Sequence, residues 1–326
     1  MSWFFFVILS YLIFGVTSLA DKYILSGRSA ISDPKIYAFY VGIISIFFLP
    51  VIPFINFFIP PFDQLILSLF AGATGVLALF LLYLAVDRFE VSRVVPAVGG
   101  ITPIAAMAFT YIFSSGKELI NGSELIAFLF LVVGSVLITY ERGKSPFRGF
   151  PFSFMAGLFF ALFVVLMKYV YSQQPFLNGL VWARIGGLIF SLVFLFSKTV
   201  RQEVFAKIKA VFFLIFKQPF SKNNQTRKFW SGKESKGNAI VFGINQALGA
   251  IGGLLRELAI FLVPLSYIPV INAMSGIQYV FLLLLVRVAV WKYPRVFKEV
   301  SSGKTFLQKL AAILLIVSGL AILAFV

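Results

Sequence analysis

The sequence predicts an all-α, polytopic membrane protein whose ten transmembrane helices form two inverted repeats of five. Three observations carry that expectation. First, 60% of the 326 residues are hydrophobic and 12% are charged, with a mean hydropathy of +0.98, whereas a water-facing surface needs about twice that charge. Second, apolar runs of roughly 16 to 25 residues, enough to cross a bilayer with some tilt, occur ten times. Third, the second half repeats the first. At an offset of 174, Gly75, Leu81, Leu84, Ala85 and Ser92 fall on Gly249, Leu255, Leu258, Ala259 and Ser266. Phe14 to Tyr23 answers Phe160 to Tyr169 at an offset of 146, which matches Lys22 with Lys168, and Gly134 in LVVGSVLI answers Gly319 in IVSGLAIL. Several matches in one order mean more than single apolar coincidences.

In chain order the expected spans are Trp3 to Ala20, Ile36 to Ile59, Leu65 to Val86, Val94 to Phe113 and Leu125 to Tyr140 in a first unit of residues 1–145. A second unit, 146–326, holds Phe150 to Met167, Gly179 to Ser197, Ala239 to Val263, Leu265 to Val290 and Leu310 to Val326. The first run lacks a basic lead and a small-residue cleavage site, so it reads as a span and not a signal peptide. Two copies with an odd number of spans must insert with opposite orientation. The fourth span carries Pro96, Gly99, Gly100 and Pro103 on one side, which predicts a kink or an interrupted helix there. Between the seventh and eighth spans, residues 198–238 form a basic insertion. Its segment Glu203 to Lys217 gathers Val204, Phe205, Ile208, Val211, Phe212 and Ile215 on one face, as in a helix lying on the membrane surface. The polar remainder suits disorder.

The net charge of +16 would suggest nucleic acid in a soluble protein, but here it reports topology, and no nucleic-acid partner is expected. Of the 28 Lys and Arg, 24 lie in loops after odd-numbered spans or at the adjoining helix ends. The positive-inside bias therefore places those loops, 198–238 among them, in the cytoplasm and both termini outside the plasma membrane.

The duplication, the Val91-Ser92 turn after the third span, the Thr102-Pro103 step, the GKELINGSEL segment from Gly116 to Leu125 and LVVGSVLI together resemble the EamA family of the drug/metabolite transporter superfamily. The resemblance covers nearly the whole chain outside 198–238. The second half departs from it at Gly276 to Phe281, where the family's proline is missing, and family members usually keep both termini in the cytoplasm. It implies a transporter of ten spans without cofactor.

The polar residues inside the spans are the candidates for binding. On the eighth span Asn245, Gly249, Gly252 and Arg256 share one face, with Gln246, Gly253 and Glu257 beside it. The first-half equivalents of Arg256 and Glu257 are Leu82 and Tyr83, so the charges belong to one repeat. Ionisable groups deep in a membrane are costly and are functional by default; the alternative is that they neutralise each other inside the bundle. If Arg256 lines a cavity the natural ligand is anionic; if Glu257 dominates, it is a cation or a coupled proton. Tyr11, Gly15, Ser18 and Lys22 share a face of the first span, and Asn272, Ser275, Gly276 and Tyr279 one of the ninth. Gly15, Gly249, Gly252 and Gly276 could equally serve close helix packing, and Lys22 and Lys168 could snorkel to the interface. The candidate cavity is therefore Tyr11, Tyr83, Asn245, Gln246, Arg256, Glu257, Asn272 and Tyr279.

Zero Cys and zero His remove disulfides, thiolate ligands and the commonest general base, and no metal site or cofactor is expected. Neither a phosphate-binding loop nor paired Asp-x-x-Asp motifs occur. An enzyme would need clustered catalytic groups, and none is expected. The related small multidrug-resistance proteins use a first-span glutamate, whereas the first span here holds no acid before Asp21 at its end, which argues against that mechanism. The leading expectation is a monomeric secondary transporter of a small metabolite working by alternating access; the alternatives are a lipid-linked carrier or flippase and a non-transporting scaffold.

Overall fold

The computed structural model describes residues 2–26, 32–89, 91–117, 121–139, 150–215, 233–292 and 303–325, and every regular element among them is helical. Helices α1 (Ser2–Leu25), α2 (Pro34–Ile44), α3 (Phe62–Arg88), α4 (Val91–Phe113) and α5 (Gly122–Thr139) precede residue 140. They are followed by α6 (Phe150–Gln173), α7 (Phe176–Ser191), α8 (Lys198–Ile215), α9 (Lys233–Leu262), α10 (Ile268–Ala273), α11 (Gly276–Lys292) and α12 (Gly303–Phe325). Six stretches among the described residues are long and apolar enough to cross a membrane: Ser2–Leu25, Pro34–Phe54, Phe62–Arg88, Pro151–Gln173, Phe176–Phe196 and Leu265–Leu282. The chain is a multi-pass membrane protein, and its exposed Phe47, Phe54, Phe62 and Phe196 suit lipid contact better than water.

Local chemistry explains where the helices start and tighten. Asp33 caps α2, its carboxylate accepting from the Lys35 amide at 2.8 Å while Pro34 occupies the first turn. Past Ile44 the chain narrows to a 3-10 helix through Pro50 and Pro53, which lack the N–H an α-helix needs. Helix α4 ends at Ser115 and Gly116, both at positive φ, and the Gly116 amide closes back on the Tyr111 carbonyl at 2.9 Å. Glu124 then accepts from the Asn121 amide at 2.8 Å at the start of α5.

Of the kink or interruption expected in the fourth span, the interruption is corrected. Helix α4 runs without interruption through Pro96, Gly99, Gly100 and Pro103. Gly99 is there for packing, since a Cβ on it would lie 1.0 Å from the Tyr279 hydroxyl of α11, and prolines are tolerated in membrane helices that neighbours support. An interruption lies instead between α10 and α11, at Met274 and Ser275, inside the apolar stretch Leu265–Leu282. There the Asn272 side chain competes for the Ile268 carbonyl (2.8 Å), and the Ser275 amide makes a tighter turn onto the Asn272 carbonyl (3.1 Å). The amphipathic segment of the insertion is helical in α8, where buried Val200 packs with Ile36 and Phe39 of α2; residues 216–232 lie outside the described part.

Glycines bring the backbones close. A Cβ on Gly72 (α3) would sit 1.8 Å from the Ala183 carbonyl oxygen, and one on Gly186 (α7) 2.2 Å from that of Leu69. Helices α5 and α12 meet twice in the same way: Gly134 against Ala312 and Ile316, Gly319 against Ala127 and Leu131. Lys22 and Lys168 do more than snorkel. The Lys22 ammonium donates to the carbonyls of Val86 (2.7 Å), Asp87 (3.5 Å) and Phe89 (3.0 Å) at the end of α3. That of Lys168 donates to Phe261 (3.2 Å) at the end of α9. A cation is stabilising at a helix C-terminus, where carbonyls lack intrahelical partners.

A buried polar ladder ties α7 to its neighbours. Asn178 donates to Gln174 and Gln174 to Ser68, both at 3.0 Å, while the Asn178 oxygen accepts from the Phe58 amide at 3.1 Å. Asn178→Ala leaves that amide and the Gln174 oxygen without partners, so stability is expected to fall by about 1 to 3 kcal/mol. An unchanged melting temperature in detergent would show that the 55–61 segment is held by Trp182 and Phe57 alone.

Candidate functional site

A cavity of about 260 Å³ lies among α1, α3, α4, α6, α7, α9 and the α10–α11 break. All eight residues expected from the sequence, Tyr11, Tyr83, Asn245, Gln246, Arg256, Glu257, Asn272 and Tyr279, line it. Of the four positions expected at a helix break, only Gly99 does. Among the glycines, Gly15, Gly252 and Gly276 pack against Phe281, Phe14 and Ile316 respectively, whereas a Cβ on Gly249 would meet nothing within 4 Å and that residue opens on the cavity.

The helices place these groups by simple register. Asn245, Gly249 and Arg256 follow each other at whole turns of α9, so one face of that helix runs the length of the cavity. Helix α1 lies along α9, with the Ser10 hydroxyl on the Gly252 carbonyl (2.8 Å) near one end and Asp21 against Asn245 at the other. The break after Ala273 turns Ser275, Gln278 and Tyr279 inward. Ser275 and Tyr279 share a hydroxyl pair at 2.7 Å, Gln278 donates to Ser18 at 3.1 Å, and Tyr11 donates to the Ile271 carbonyl at 3.0 Å.

Two ends of the cavity differ in charge. At one, the Arg256 guanidinium lies 3.9 Å from the Glu257 carboxylate, which is 1% exposed and accepts from the Tyr171 hydroxyl at 3.0 Å. Arg256 also sits over the rings of Phe14 (5.4 Å) and Phe163 (5.7 Å), and its buried Nε has no hydrogen-bond partner among the described residues. Arg184 of α7 reaches the same region, its guanidinium 4.8 Å from the Phe48 ring centroid and in electrostatic reach of Glu257. At the other end the Asp21 carboxylate accepts from the Tyr37 hydroxyl and from Asn245 Nδ2 (2.6 Å), while the Asn245 oxygen is buried without a partner. Tyr37 is fully buried and packs edge-on against Tyr83 at 4.4 Å.

Sequence reasoning missed four participants. Asp21 was set aside as lying at a span end, yet α1 continues to Leu25 and carries it into the cavity. Arg184 lies within the expected seventh run, Gly179 to Ser197, and nothing local ties it to Glu257. Tyr37 and Tyr171 gave no signal because their partners lie on other helices, 16 and 208 residues away for Tyr37 (Asp21 and Asn245) and 86 for Tyr171 (Glu257). Among the described residues no group of three metal-ligating side chains occurs.

No family model matches this chain, and no curated protein does. A solved structure described as "Crystal structure of protein" is similar to it, with a TM-score of 0.59 and 14% identity over 99% of this chain and 95% of its own length. At that identity the likeness concerns the fold alone.

Proposed function

We propose that this protein is a secondary transporter of a small polar metabolite, and that its two units, 1–145 and 146–326, are inverted repeats of the EamA kind that rock about the cavity. The observation that carries the reading is the cavity itself: a chamber walled by apolar helices, yet lined by Arg184, Arg256, Glu257 and Asp21. Charges are kept at such depth in a membrane protein chiefly for substrates or ions.

The repeat is supported by contacts that occur in pairs. Gly134 meets Ala312 and Ile316 while Gly319 meets Ala127 and Leu131, and the numbers differ by one constant: 319 − 134, 312 − 127 and 316 − 131 are all 185. Such reciprocity is what a two-fold axis produces. Likewise Lys22 bonds the Asp87 carbonyl and Lys168 that of Phe261, with 168 − 22 = 146 and 261 − 87 = 174, the two offsets of the sequence duplication. Helix α1 packs along α9 as α6 packs along α3. The same proposal places the insertion 198–238 in the cytoplasm, the protein in the plasma membrane, and the working unit as a monomer.

The test is binding followed by exchange. Purified protein in detergent should be stabilised against heat by one class of anionic metabolite, because a ligand that binds only the folded state raises its apparent stability. Vesicles containing the protein should then exchange that ligand across the bilayer, and Arg256→Ala should slow the exchange at least tenfold. A scaffold would bind nothing, and Arg256→Ala would alter its stability alone; that result would overturn the proposal.

A further inference from the structure

Resting on the transport reading, the geometry points to an elongated zwitterion as the occupant of the cavity, with its anionic group at Arg184 and Arg256 and its ammonium at Asp21, about 10 Å apart; this assignment we propose as new.

Charge counting at the first end gives two guanidiniums against one carboxylate, Glu257, and hence one positive charge without a counter-charge in the protein. The unpartnered buried Arg256 Nε, and Arg184 with neither ion pair nor hydrogen bond among the described residues, are donors waiting for an acceptor. A guanidinium presents its donors in a fork that suits a carboxylate or phosphate. At the second end Asp21 has only neutral partners, Tyr37 and Asn245, and no cation is paired with it among the described residues. The next residue's ammonium, Lys22, is turned away to the end of α3. A carboxylate of this kind lacks a positive partner that a ligand ammonium would supply.

The spacing follows from the helices. Arg256 lies over Phe14, seven residues before Asp21 on α1, a rise of about 10 Å; along α9 it lies eleven residues beyond Asn245, a rise of about 16 Å, which a long side chain leaning toward the helix N-terminus shortens. An α-amino acid is too short to satisfy both ends at once. Three extended residues of peptide span about 10 Å, so a tripeptide with free termini has the required separation, and the apolar part of the lining, Val76, Leu79 and Leu82 among it, suits an uncharged body.

Trialanine and 8-aminooctanoate serve as probes of matching length, with alanine as the short comparator, and their binding is measured by calorimetry on the detergent-solubilised protein. Both long zwitterions should bind at least tenfold more tightly than alanine, N-acetyl-trialanine or trialanine amide. Asp21→Asn, which keeps the shape of the side chain, should weaken trialanine at least fivefold and leave N-acetyl-trialanine unchanged; Arg184→Gln should weaken trialanine and leave its amide unchanged. If capping either end does not matter, or neither long zwitterion binds, the inference is overturned, and capture and exchange of a simple monoanion would show that transport stands without it. If the zwitterions bind as expected but vesicles do not exchange them, the transport reading fails and the ligand assignment survives.

Discussion

Glu257→Ala is expected to be among the most damaging changes to this protein, lowering stability by about 3 to 5 kcal/mol. The side chain is 1% exposed, and its carboxylate is the counter-charge in reach of Arg256 and Arg184 while accepting from Tyr171. Removing it leaves two guanidiniums in a poorly solvated chamber and a buried hydroxyl without its acceptor. A partner removed is worse than a pair removed, so Arg256→Ala/Glu257→Ala should recover part of the loss. The measurement is the apparent melting temperature in one detergent, with Glu257→Gln as a variant that keeps the shape. A double variant no more stable than Glu257→Ala would mean that the charge balance is not what holds this end together.

Gly72→Ala is the second large effect, and it acts through space alone. Its new Cβ would lie 1.8 Å from the Ala183 carbonyl oxygen and 2.7 Å from the Gly187 nitrogen, both backbone atoms that cannot rotate aside. Overpacking by one methyl usually costs about 1 to 3 kcal/mol where side chains can shift. Here α3 and α7 must separate along their contact, so most of the protein is expected to emerge aggregated on size-exclusion chromatography. Gly249→Ala is the comparator, since its Cβ meets nothing, and it should remain monodisperse. Normal behaviour of Gly72→Ala would show that the two helices pack less closely than described.

How much of this was legible in the sequence depended on whether the cause was local. Polar residues at helical spacing on an apolar α9 face must avoid lipid, and the cavity residues Asn245, Gln246, Arg256 and Glu257 followed from that alone. The match of Gly134 with Gly319 marked two glycines that both lie in the α5–α12 contact, but it did not say that these helices meet. Breaks were read less well, because proline and glycine record a helix's local weakness and not the support it receives. Helix α4 is supported by Tyr279 settling onto Gly99, while α10 and α11 part where Asn272 turns its amide on its own backbone. Asp21 was judged by its distance from the end of an apolar run, yet helices do not stop where hydrophobicity does. Arg184 and Tyr171 depend on pairings across the bundle, which no window along the chain contains.

The place of α1 has a consequence for how the chain is assembled. It is synthesised well before its partners, since groups that satisfy Ser10, Tyr11 and Asp21 lie 242, 260 and 224 residues further on. Until α9 and α10 arrive, α1 must hold a carboxylate and several hydroxyls in the membrane with only Tyr37 and its own backbone to receive them. The polar chamber is therefore closed late, when α9, α10 and α11 pack against α1, and a nascent chain halted before α9 has no finished site to display.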